Sequence, residues 1–137
     1  MRKVICDYCG QPARLVNSSM VYNGQDHGMI WLCHPCQAWV GVHKGTDEPL
    51  GRLADVELRY WKRRAHAAFD PMWRGKEKRT RRWAYEWLAG EMGLPVEQTH
   101  IGMMDVSQCK QVIKICKEAK SYEKAQQLSE QTGQELQ

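Results

Sequence analysis

The apolar and polar positions of this chain follow two rhythms. In the first fifty residues they fall in short β-rich runs: "ARLVNSSMVY" (13–22) and "MIWLC" (29–33) flank "NGQDHG" (23–28), which has turn chemistry. The pattern predicts a hairpin, and "AWVGV" (38–42) supplies a third strand. After "GTDEPLG" the period changes. Leu58, Trp61, Ala65, Ala68 and Phe69 recur at spacings of three and four, which predicts a helix with Asp55 as its N-cap. Arg59, Lys62 and Arg63 fall off that stripe and are expected to face water.

Pro71 and Gly75 in "DPMWRGK" end this helix. A second is expected from about Glu77 to Met92, with Trp83, Ala84, Trp87 and Leu88 as its apolar face and Gly93 as its stop. "LPVEQTHIGMM" reads as a connector. "DVSQCKQVIKICKEAK" starts a third helix, with Asp105 as N-cap and Gln108 in capping-box position. The polar, Gln-rich remainder reads as a frayed helix or a disordered tail. The chain therefore divides into a strand-rich part (1–50), a helical and basic part (51–120) and a tail (121–137).

At 137 residues and 42% hydrophobic content, the chain can build one domain with a modest core, or a small metal-held lobe beside a helical one. No apolar run approaches the ~18 to 20 residues that span a bilayer. The opening Met-Arg-Lys-Val-Ile-Cys has no apolar signal core. A cytoplasmic, reducing setting is expected, in which cysteines serve as metal ligands or buried thiols rather than disulfides.

Four of the six cysteines form two C-x-x-C pairs, Cys6/Cys9 and Cys33/Cys36. Zinc takes four soft ligands in a tetrahedron, and two tight knuckles can each supply two thiolates. The hairpin between the pairs would bring them face to face, and Gly10 directly after Cys9 suits a turn at positive φ. A redox role would need a C-x-x-C at a helix start inside a βαβ pattern, and neither pair has that setting. The expected site is one structural zinc on Cys6, Cys9, Cys33 and Cys36. His34 lies inside the second knuckle and is expected to remain unligated. The predicted fold is α+β: an N-terminal zinc ribbon, a hairpin plus a third strand, packed with about three helices. Cys109 and Cys116 share an apolar stripe with Val106, Val112 and Ile113 on the third helix. Seven helical residues separate them by ~10.5 Å, too far to bridge, so they are expected to pack as small hydrophobes.

Charge adds a second candidate site. Residues 51–92 hold 11 Lys and Arg against 6 Asp and Glu, whereas 1–50 balance at 4 against 4 and 93–137 hold 5 against 6. The excess lies in "RYWKRR" (59–64) and "RGKEKRTRR" (74–82), both beside tryptophan. Arg59, Lys62, Arg63, Arg64, Lys76, Lys78, Arg79, Arg81 and Arg82 are candidate phosphate contacts on DNA or RNA, with Trp73 as a stacking platform. The plainer alternative is a solvated helix face with its tryptophans in the core. His66 and Asp70, one helical turn apart, could share a face, but no P-loop, G-x-S-x-G or H-E-x-x-H accompanies them. A non-enzymatic protein is expected.

"CDYCGQPARL", "IWLCHPCQAWVGVHKGT", "PLGRLAD", "AHAAFDPMW" and "HIGMMDVSQC" resemble the small zinc-finger-containing proteins of bacteriophages and prophages. The resemblance covers about residues 3–117. It implies metal binding at the four N-terminal cysteines and a phage source, and it leaves the function open between two classes. One is a nucleic-acid-binding module. The other is an inhibitor of a host defence protein, such as a CRISPR effector or another nuclease, docking through the same basic and aromatic face.

Overall fold

The computed structural model describes residues 2–136, with side-chain surroundings to residue 125 and at Leu128. Three antiparallel strands, β1 (Arg14–Asn17), β2 (Met29–Cys33) and β3 (Ala38–Gly41), form one sheet in the order β1-β2-β3. Their register pairs Leu15 with Trp31, Trp31 with Val40 and Cys33 with Ala38. The fold is the expected α+β arrangement, a ribbon followed by three helices. β1 is shorter than its apolar run suggests. Asn17 and Ser18 use their side chains on the backbone: Asn17 accepts from the Ser19 amide at 2.9 Å, and Ser18 accepts from the His27 amide at 2.6 Å. Such bonds favour a turn over a ladder, so residues 18–20 form a 3₁₀ turn.

Past β3 the chain turns at 43–48 and returns along the sheet. Leu50 donates to Gly41, and Trp39 and Ala54 exchange both backbone bonds. That return leads into α1 (Val56–Phe69), capped as expected by Asp55, whose carboxylate accepts from the Leu58 amide at 2.9 Å. α2 (Arg81–Met92) starts four residues later than expected, because Thr80 caps it by accepting from the Trp83 amide at 3.0 Å. Its buried face is also rotated by one position, to Ala84, Tyr85, Leu88 and Ala89. Tyr85 packs on Phe69 with ring centroids 4.6 Å apart, which leaves Trp83 exposed and Trp87 partly so. Gly93 ends α2 in the left-handed region, as its position predicted.

α3 (Val106–Leu136) opens with the full capping box. Gln108 N–H donates to Asp105 at 2.8 Å, and Asp105 N–H donates to Gln108 Oε1 at 3.1 Å. The backbone then continues as one helix through the Gln-rich segment to Leu136, the helical of the two readings of that segment.

Two apolar clusters organise these elements. One lies under the ribbon around Cys6, Trp31, Cys33, Ala38 and Leu53. The other lies among the helices around Leu58, Phe69, Leu88, Ile101 and Val112. Leu53 belongs to the first and its neighbour Ala54 to the second, so the chain changes core within one residue. Cys109 and Cys116 are fully buried in the helical cluster, as expected. Burial raises both thiols above the ordinary range, Cys116 to about 11, so they stay protonated and inert. The lobes are tied where Gly51 meets Gly102. A Cβ on Gly51 would fall 2.2 Å from the Gly102 carbonyl oxygen, so only glycine fits there.

Candidate metal centre and cationic surfaces

Each C-x-x-C pair sits on a tight turn. In the first, Gly10 donates to the Cys6 carbonyl at 2.8 Å and adopts φ +76, as its position suggested. In the second, the matching position after Cys36 is Gln37, at φ 50, whose side chain also donates to the His34 carbonyl at 2.7 Å. The antiparallel pairing of β1 with β2 brings the two knuckles together. All four sulfur atoms lie within 4.8 Å of one another, with Cys9 and Cys33 at 3.6 Å. A tetrahedron with metal–sulfur bonds of ~2.3 Å has edges of ~3.8 Å, so the donor set has the size zinc requires.

Electrostatics points the same way. The amide of Gln11 lowers the Cys9 thiol, while desolvation raises Cys33 and pushes Cys36 up to about 12. Four thiols this close cannot all ionise beside one another unless a cation stands between them, and a bound divalent metal deprotonates its thiols outright. The four cysteines form a site for one structural zinc. Four protein ligands fill its coordination, so no position stays open for water. His34 is exposed beside the site. Among the described residues no second group of this kind occurs, and His100 lies against the Tyr85 ring at 5.0 Å.

The cationic residues divide into two sets, and the first corrects the helical-wheel expectation. Arg59 is only half-exposed. Its guanidinium lies 3.4 Å from the centre of the Trp39 ring and donates to the Ala54 carbonyl at 2.6 Å. Lys62 is half-exposed too, and its ammonium donates to the carbonyls of Gly102 (2.7 Å) and Arg52 (3.3 Å), with burial pushing it down to about 8. The returning segment 50–54 holds both side chains against the fold. Trp73 is likewise no free platform: its ring packs against the helical cluster and carries Arg74 at 5.2 Å.

The second set remains in solvent. Arg63, Arg64, Lys76, Lys78, Arg81 and Arg82 are exposed, although Arg82 pairs with Glu86 at 3.1 Å. Arg79 is half-buried and tied to Glu123 at 3.1 Å, bracing the α1–α2 turn against α3. His66 and Asp70 do share a face, 3.7 Å apart, and Asp70 also lies 3.8 Å from Arg74.

One feature went unseen in the sequence. A groove of about 780 Å³ runs between the ribbon and α1, walled by Tyr22 and Trp39 and bearing Lys44, Arg52, Arg59 and Lys62. Its cations come from three separate stretches of chain, so no local run signals it.

Fold and site together define a zinc ribbon on a helical base. More specifically, the chain belongs to the family of zinc-finger-containing domains, whose model matches residues 2–119. No curated protein and no solved structure matches it. No described helix is long and apolar enough to cross a membrane.

Proposed function

We propose that this chain is a non-enzymatic nucleic-acid-binding module of bacteriophage or prophage origin, acting in the host cytoplasm. The observation that carries the reading is the exposed set Arg63, Arg64, Lys76, Lys78 and Arg81, on α1 and at the turn into α2, for which no carboxylate partner occurs among the described residues. Lysine and arginine without an internal counter-charge can neutralise phosphates and release their counterions. The zinc supplies no chemistry in this reading. It holds the ribbon, and the ribbon braces the helices that present the cations. The His66–Asp70 pair, on a half-buried helix end and shared with Arg74, is read as a helix-end ion pair.

A mobility-shift titration with DNA and RNA oligonucleotides at two salt concentrations tests the reading. Binding should fall steeply with salt. Lys76→Ala, Lys78→Ala and Arg81→Ala together should reduce the salt slope by roughly one unit per lost phosphate contact. A folded, zinc-loaded protein that shifts no oligonucleotide at low salt, yet forms a salt-tolerant complex with one host protein, would instead make it an inhibitor of a host defence factor.

A further inference from the structure

The groove between the ribbon and α1 combines features that the exposed cations lack. It is concave, its walls are mainly apolar (Ile30, Val40, Val42, Leu50), and four cations but, among the described residues, no carboxylate line it. Double-stranded nucleic acid would use only the cations, because its bases are stacked inside. The apolar walls gain nothing from phosphates. They would gain from a flat ring removed from water.

The groove also holds a fixed stacking surface. Trp39 and the Arg59 guanidinium are already stacked at 3.4 Å, and both line the groove. Arg59 is locked by the Ala54 carbonyl, and the Trp39 indole N–H is oriented by Tyr22 Oη at 3.3 Å. Guanidinium planes and aromatic rings are the surfaces on which unpaired bases stack. Lys44, exposed at the rim, and Arg52 beside Lys62 supply positive charge for the adjoining phosphate. Arg52 also pairs with Asp7, at 3.4 Å through its Nε.

We propose that this groove receives a single unpaired nucleotide, its base against the Tyr22–Trp39–Arg59 wall and its phosphate on Lys44 and Arg52. The protein would therefore prefer single-stranded over duplex nucleic acid. This inference rests on the nucleic-acid reading above and adds to it a site and a strand preference.

The test is fluorescence-anisotropy titration of the zinc-loaded full chain with a 12-nucleotide single strand and with a duplex of the same sequence. Tyr22→Ala and Lys44→Glu are the groove variants. Both residues are exposed, and zinc content near one per chain confirms that each variant is folded. Each should weaken single-strand binding about ten-fold, the scale of one lost base stack or phosphate contact, and leave duplex binding within about two-fold. The variant at Lys76, Lys78 and Arg81 should weaken both substrates together. Groove variants that bind the single strand as the unaltered protein does, or that lose both substrates equally, would overturn the groove assignment while leaving nucleic-acid binding standing. An unaltered protein that binds neither would overturn both.

Discussion

Lys62 shows how far one side chain can depart from its helical-wheel position. Its spacing puts it on the polar side of α1, yet its ammonium ties the carbonyls of Arg52 and Gly102 and so joins the two lobes. Burial holds its pKa at about 8, below the ordinary 10.5. Between those values the unfolded chain keeps a proton that the folded chain has released, so this residue's contribution to stability rises with pH across that window. Below about pH 8 the cost of burying the charge is present in full. The full shift corresponds to about 3 kcal/mol, and solvent reaching the partly exposed site reduces this to about 1–2 kcal/mol. Denaturant unfolding of the native chain and of Lys62→Met at pH 7.5 and pH 10 checks this. The native chain should gain on the variant by that amount, and a constant difference would show that the ammonium is not buried as described. Local periodicity could not reveal the contact, because the partners lie ten and forty residues away. Gly10 is the opposite case. Its place after a metal knuckle was enough to anticipate its left-handed backbone.

Elements whose ends are set by a side chain three residues from an amide were readable, provided the right cap was chosen. Asp55 and Asp105 stood directly before an apolar stripe and were identified from that. Thr80 was missed because "KEKRT" already looks helical in composition, and a β-branched cap is inconspicuous in a basic run. Thr80→Ala should cost about 1 kcal/mol, since the Trp83 amide loses its acceptor. Thr80→Ser, which retains the oxygen, should recover most of it. Thermal unfolding of both variants decides, and equal losses would mean that the hydroxyl does not cap the helix. The buried face of α2 was shifted for a related reason. "WAYEWLA" satisfies helical spacing at 83/84/87/88 and equally at 84/85/88/89. Only the position of Phe69, on another helix, selects the second.

At the scale of the molecule, the ribbon and the helices carry separate apolar clusters, and the ribbon's cluster includes two of the four metal-binding cysteines. Metal binding and folding should therefore be coupled in one lobe and not in the other. Stripping zinc with a chelator, or Cys36→Ser, should abolish the hairpin while most of the helical circular dichroism at 222 nm persists. Loss of the helical signal in step with zinc would show that the lobes fold as one unit. The ribbon was legible because thiol spacing and turn chemistry are local properties. The docking of the lobes was not, since it depends on Gly51 meeting Gly102 and on Arg59 meeting Trp39 across the chain.

The four sulfur atoms differ in their access to solvent. Cys6 and Cys33 are enclosed, whereas Cys9 is exposed and Cys36 partly so, one of each kind from either knuckle. A competing ligand or an electrophile can thus approach from one side only, where it meets the outer sulfurs first. How long the ion stays is then a question of kinetics as well as affinity. Tight binding at equilibrium is compatible with rapid ligand-assisted exchange through the Cys9–Cys36 edge, while the inner pair keeps hold during the handover.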